Sequence, residues 1–232
     1  MLLSTAKKLM CAAFGITLFA TAHAAPVAID FDSLPGMLNS PSSVPLASQL
    51  SDQFLSTLGA TFSSQVNYVA VVDHGSTPGC GSPCPTPSLP NVIGGVKSDG
   101  TLSYGTPITI LFFDPSHPTV KGITDFVSIR GDMAPLAGAS ATMEAFDALG
   151  QSLGSVSAFD STVGLTLSIT AQGIHSVLLT QDSASAFSDG TIGFDNLQFN
   201  AVSAVPEPAT YMLLVTGFLV VVTVAKRRKE LA

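Results

Sequence analysis

The chain has 232 residues, with nine Lys or Arg against sixteen Asp or Glu, a formal net charge of −7 and no tryptophan. Six of the nine basic residues and two of the sixteen acidic ones lie within residues 1–24 and 205–232, so the segment 25–204 keeps three basic and fourteen acidic residues, a net charge of −11. That balance excludes nucleic acid and anionic lipid as partners of this segment, because phosphate neutralisation requires clustered Lys and Arg; it remains compatible with divalent cations.

The N-terminus has three parts in order. Lys7-Lys8 form a positive region, Leu9 to Ala22 an apolar region, and Ala22-His23-Ala24 a small-x-small site. Together they have the form of a secretory signal peptide, cut after Ala24 by signal peptidase. Cys11 raises a lipoprotein alternative, which fails because Met10 is too bulky for a lipobox and few apolar residues precede the cysteine. The predicted organisation is therefore a signal peptide over 1–24, one exported domain over 25–204, and a C-terminal segment over 205–232.

Short β-type runs punctuated by Gly, Pro, Asp and Ser recur along the exported segment. The best are Val27 to Phe31, Val66 to Val72, Ile108 to Phe113, Ile123 to Ile129, Ala141 to Phe146, Val163 to Ile169, Ile174 to Leu179 and Ile192 to Phe199. Ala141 to Asp147 alternates across two faces, and Ala148-Leu149-Gly150-Gln151 then turns into Ser152 to Phe159, predicting a hairpin. Only Val44 to Leu58 reads as a helix or helical turn of any length. Thirteen of the fourteen acids are Asp, Glu144 being the exception, which suits turns and short loops. The expected fold is all-β, a single antiparallel β-sandwich of jelly-roll-like form.

Thr77 to Pro90 is the one obvious long loop, and it carries Cys80 and Cys84. With Cys11 removed these form an even pair in an oxidising compartment, and a local disulfide is the expected state. Zinc would need two further ligands, and His74 supplies at most one.

The first and last predicted strands both carry acids in apolar surroundings, Asp30 and Asp32 in A-I-D-F-D-S-L and Asp195 in I-G-F-D-N-L-Q-F. A buried carboxylate needs a partner, and a cation is one. Asp30 and Asp32 would project to one face of a strand. The pattern resembles MAM-type and related carbohydrate-binding jelly rolls, in which acids near the two chain ends help hold Ca²⁺. By that resemblance Asp30, Asp32 and Asp195 are the candidate ligands of a structural calcium, with backbone carbonyls completing an oxygen shell. The alternative is that these are solvated or hydrogen-bonded turn residues.

Catalytic patterns are sparse. The sequence holds no G-x-S-x-G elbow, Walker loop, H-E-x-x-H helix or dinucleotide fingerprint. His74, His117 and His175 are widely separated, and Asp114-Pro115-Ser116-His117-Pro118 and Gly131-Asp132-Met133 are turn chemistry first. No pair of acids is distinguished as a glycosidase pair.

The C-terminus carries the sharpest signal. Val205-Pro206-Glu207-Pro208 leads into the uncharged run Ala209–Ala225, followed by Lys226-Arg227-Arg228-Lys229. As a helix, those 17 residues would cover roughly 26 Å of a hydrocarbon core about 30 Å thick. The basic cluster favours the cytoplasmic side, which puts everything before the helix on the far side of the membrane. Pro206 and Pro208 cannot donate backbone hydrogen bonds, so the tripeptide should stay extended and accessible. The tail closely resembles the PEP-CTERM sorting signal of Gram-negative bacteria, whose Pro-Glu-Pro segment is read by an exosortase, a membrane protease that removes the tail. The resemblance implies that Pro206, Glu207 and Pro208 are recognition residues and that an exosortase is a partner.

The resulting expectation is an exported, exosortase-processed, non-catalytic surface or matrix protein, acting in adhesion or in association with extracellular polysaccharide. The first alternative is a specific carbohydrate-binding module, for which exposed aromatics on one sheet face are expected; only Tyr68, Tyr104 and Tyr211 supply tyrosine. The second is a secreted polysaccharide hydrolase.

Overall fold

The computed structural model describes residues 26–38, 40, 42–73, 88, 90–132, 139–159, 164–182, 192–205 and 216–218. The signal peptide, the Cys80–Cys84 loop, Met133, His74 and most of the sorting tail lie outside the described residues, as does Tyr211. Within the Ala209–Ala225 run residues 216–218 are described, and they are helical. Among the described residues no helix is long and apolar enough to cross a membrane.

The described chain is all-β, its fourteen strands joined in one hydrogen-bonded sheet. They are β1 (Val27–Ile29), β2 (Met37–Leu38), β3 (Gln49–Leu50), β4 (Ala60–Ser63), β5 (Val69–Asp73), β6 (Asn91–Gly94), β7 (Ile108–Asp114), β8 (His117–Asp132), β9 (Ser140–Phe146), β10 (Ser152–Phe159), β11 (Leu165–Ile174), β12 (Ser176–Asp182), β13 (Gly193–Phe199) and β14 (Ser203–Ala204). The sheet folds over itself into a sandwich-like pair of layers. One runs β10-β9-β12-β7, with β4 beyond β7; the other joins β11, β8, β13, β6 and β5, with β1 also on β13. Strand β8 links them, pairing early with β7 (Phe113 opposite Lys121) and later with β11 and β13.

Alternation explains the layers. In β7, Ile108, Ile110 and Phe112 are buried while Thr109, Leu111 and Phe113 are partly exposed; β9 buries Ala141, Met143 and Ala145 in the same way. These side chains meet Val127, Ile129, Leu167 and Phe199 of the opposite layer in one core. Each fully buried large apolar side chain stabilises by about 1.5–3 kcal/mol. Strand β5 does not alternate, because Val69 and Val71 face that core while Ala70 and Val72 face a second cluster with Val92, Leu102 and Tyr104. A strand covered on both faces reads as a continuous apolar run.

The structure corrects several expectations. Val44 to Leu58 is not one helix. It is a 3-10 turn (Leu46–Ser48), β3, and α1 (Leu55–Leu58), which ends at Gly59 with φ +75°. Leu50 is fully buried and pairs with Val69, so burial overrides local helical preference. Gly59 is required because a Cβ there would lie 2.2 Å from the Phe113 carbonyl oxygen. Nor is the pairing wholly antiparallel, since β2 runs parallel to β5, with Met37 opposite Val72.

The hairpins follow their turn chemistry. Asp147 closes the β9–β10 turn by accepting bonds from the Leu149 and Gln151 amides at 2.9 and 2.8 Å, and Gly150 takes φ +80°. Asp114 caps the β7–β8 turn, accepting from the Ser116 amide at 2.9 Å and facing His117 Nδ1 at 3.2 Å. These bonds hold the Asp114 carboxyl below its ordinary value, the Ser116 bond most strongly. Gly131-Asp132, read as a turn, instead ends β8.

Candidate functional site

Two regions gather the residues singled out by the sequence. The first is the corner where β1, β6 and β13 meet. Strand β1 ends at Ile29, and Phe31 takes φ +58°, a left-handed conformation unusual for a bulky residue. This puts the fully buried Phe31 ring into the core, edge-on to Phe62 at 5.7 Å. It also interrupts the strand, so the shared strand face expected for Asp30 and Asp32 does not form. Asp30 is exposed, while Asp32 is half-buried in the following turn.

Asn91, at the start of β6 and 2% exposed, holds that turn in place. Its side-chain amide donates to the carbonyls of Phe31 (3.1 Å), Asp32 (3.4 Å) and Leu34 (2.8 Å), and its backbone amide donates to Asp32 Oδ1 at 3.0 Å. Asp32 in turn donates its amide to Asp30 Oδ1 at 3.3 Å.

Asp195 is completely buried. Its Oδ2 accepts from the Ser88 amide at 3.0 Å and from the Ser88 hydroxyl at 2.6 Å, and its Oδ1 accepts from the Asn196 amide at 2.6 Å. Asn196 has φ +50° and sits in a bulge between β13 and β8. Burial pushes the Asp195 carboxyl up to about 6; the Ser88 and Asn196 bonds pull it back and the negative charge of Asp32 adds to the rise. The corner therefore joins Asp32 and Asp195 electrostatically. Among the described residues, no three His, Cys, Asp or Glu side chains are grouped to hold a metal ion. Ser88, Asn91 and Asn196 were not evident from sequence; a Pro-Asn step before an apolar run was the one available hint.

The other titratable candidates have structural partners. His175 is buried, its Nδ1 lies 2.9 Å from the Gly122 carbonyl oxygen, and its ring sits edge-on to Phe113. Glu144 accepts from the Ser152 hydroxyl at 2.6 Å. Of the few tyrosines available to a sugar platform, Tyr68 is half-buried and Tyr104 buried, burial pushing its phenol up; among the described residues of the sandwich Phe159, at the end of β10, is a large exposed aromatic.

The second region is the end of the domain. After β13, Asn200 is fixed by its Nδ2, which donates to Asp125 Oδ1 at 2.7 Å, and by its carbonyl, which accepts from Thr124 Oγ1 at 2.9 Å. The chain then lies along β8, with Ser203 opposite Ile123, Ala204 opposite Gly122, and the Val205 amide donating to Lys121 O at 2.9 Å. Gly122 is required for this approach, because a Cβ there would lie 2.4 Å from Val202 Cγ1 and 2.5 Å from the Phe113 carbonyl carbon. Pro206, Glu207 and Pro208 follow, outside the described residues.

A model of the PEP-CTERM protein-sorting motif matches residues 204–229, so the chain carries that motif at its C-terminus. The match begins on the second residue of β14. No curated protein matches the chain. Among solved structures, the chain is similar to a DUF4465 family protein from Bacteroides caccae, with 15% identity, a TM-score of 0.44, and coverage of 78% of this chain and 100% of that one. It is also similar to the K2 cleaved adhesin domain of Lys-gingipain, with 12% identity, a TM-score of 0.38, and coverage of 75% and 99%.

Proposed function

We propose that this is an exported protein sorted by its C-terminal motif: signal peptidase removes residues 1–24, the helix 209–225 holds the chain in the inner membrane of a Gram-negative bacterium, and an exosortase reading Pro206, Glu207 and Pro208 releases the domain to the cell surface or matrix. The single observation that carries this reading is the PEP-CTERM motif over residues 204–229, which begins within the last described strand of an all-β domain. The domain itself acts without catalysis, in adhesion or in association with extracellular polysaccharide, on a sandwich of jelly-roll-like form. Support for the non-catalytic part comes from His175, whose Nδ1 bonds the Gly122 carbonyl, and from Asp195, whose carboxylate accepts from Ser88 and Asn196.

In the same reading Cys80 and Cys84 form a local disulfide, and a structural calcium draws on Asp32 and Asp195, with Asp30 having to swing in from its exposed position because the three carboxylates are not grouped as they stand. Calcium is supported by a buried carboxylate whose charge is opposed by a neighbouring carboxylate, a cost that a cation removes. A specific carbohydrate-binding role is the second reading. It is favoured by the solvent side of the β10-β9-β12 layer, where Ser157, Thr142 and Thr180 lie opposite one another across three strands; the Ser157 and Thr142 hydroxyls bond each other at 2.7 Å, and the row keeps the remaining hydroxyl valences for a polyol.

The test is mass spectrometry of the mature protein from its bacterial host. The expected product lacks residues 1–24 and the Lys226–Lys229 cluster, and replacing Pro206, Glu207 and Pro208 by alanine should leave the tail in place. An intact tail on the wild-type protein would overturn the sorting reading. Glycan binding, measured with and without chelator, separates the two roles of the domain.

A further inference from the structure

The sorting motif does not begin beyond the folded domain. Its first two residues, Ala204 and Val205, are hydrogen-bonded to β8 through the Ala204–Gly122 pair and the 2.9 Å bond from the Val205 amide to Lys121 O. Upstream, Val202 is half-buried and packs over Gly122, while Ala201, Ser203 and Ala204 are exposed. The attachment stops at Asn200, whose side chain and carbonyl are tied to Asp125 and Thr124. Residues 201–205 thus form a short unit that is held at its base by Asn200 and along its length by two half-buried valines, Val202 and Val205, and a few backbone bonds.

Such a unit opens locally without unfolding the domain, because few buried contacts resist it. A protease cleaves the open form, and when opening is fast the rate follows the open population. Backbone groups committed to a neighbouring strand are not free to enter a protease cleft.

We infer that β14 is a clasp on the sorting signal: paired to β8, it keeps residues through Val205 out of the processing protease, so that the mature chain ends beyond Val205 and the rate of processing follows the opening of residues 201–205. The partner is a protease that binds an extended Pro-Glu-Pro segment and must work against the edge of this domain. In the sequence the next residue is Pro206, which has no amide hydrogen to donate to a continued ladder. This rests on the sorting reading above.

Two variants of the full-length chain, expressed in its bacterial host, test it. Inserting Gly-Ser-Gly-Ser-Gly-Ser between Val205 and Pro206 leaves the clasp untouched and supplies free chain, while Val202→Asp loosens the clasp from its seat on Gly122. Each should raise the rate of tail loss about tenfold, the wild-type product should end C-terminal to Val205, and combining them should add little. Hydrogen exchange at the Val205 amide should quicken in Val202→Asp and stay unchanged in the insertion. If Val202→Asp fails to fold, the insertion alone decides. Wild-type rates in the insertion, or a wild-type product ending before Val205, overturn the clasp while leaving sorting intact; an unprocessed wild-type tail overturns the sorting reading and the clasp with it.

Discussion

Strand β13 is anchored very differently at its two ends. At its start, Asp195 is fully buried and receives three hydrogen bonds, two from Ser88, which is 107 residues away in sequence. Beyond its end, the chain from Ala201 to Val205 lies on the surface, with only the half-buried Val202 and Val205 side chains and a last amide bond to hold it. The first arrangement spends polar groups on holding distant segments in one place; the second leaves a segment that comes away by itself. A buried polar network is costly to damage because each lost partner strands a desolvated group, whereas an exposed strand end exchanges its bonds with water.

The largest expected effect therefore lies in the corner. Asn91→Ala removes the donors to the Phe31, Asp32 and Leu34 carbonyls and should cost about 3 kcal/mol in a denaturant titration. Asn91→Asp should be at least as damaging, since it places a third carboxylate beside Asp32. An effect below about 1 kcal/mol would mean that water replaces these bonds and that the corner is no tighter than the tail.

Asp195 sharpens the comparison through pH. Its folded value of about 6 lies above the ordinary 3.8, so the folded state holds the proton more tightly than the unfolded chain. Its contribution is fully present below pH 4 and is lost as pH rises through 6, by up to about 3 kcal/mol and in practice less after relaxation. Asp99 and Asp114, both held below the ordinary value, act in the opposite sense at lower pH. Thermal melts in chelator between pH 4 and 7 should show a decline that Asp195→Asn flattens. Added calcium should restore stability at pH 7 in the wild type and not in that variant.

How much of this was legible in the sequence depended on the range of the interaction. Strands β7, β9 and β13 declared themselves because each needs only its own alternation or apolar run, and the β9–β10 hairpin because Asp147 and Gly150 supply its turn locally. Strands β2, β3 and β14, two residues each, carry no period to read; they exist because β5 and β8 offer them backbone partners. The acids Asp32 and Asp195 stood out as charges in apolar runs. Asn91 and Ser88 did not, since their bonds to Asp32 and Asp195 span 59 and 107 residues. Phe31 misled the reading of Asp30 and Asp32, because its positive φ answers to the core around Phe62 rather than to its neighbours in sequence.

The smallest predicted effect probes the hinge between the two kinds of anchoring. Thr124 is buried, and its hydroxyl bonds the Asn200 carbonyl at 2.9 Å, the last firm attachment before the clasp. Thr124→Val keeps the shape and removes the bond, leaving the part-buried Asn200 carbonyl short of a donor, so global stability should fall by about 1 kcal/mol. If Asn200 is the base at which opening stops, the same variant should lengthen the unit that opens: exchange at the Asn200 amide, which bonds Phe126 O, should rise toward that of Val205, while amides of β7 and β12 keep their wild-type protection. Equal slowing or quickening at all of these amides would place Asn200 within the core unit, and the division between a tight corner and a loose end would then fall further along the chain, at Val202.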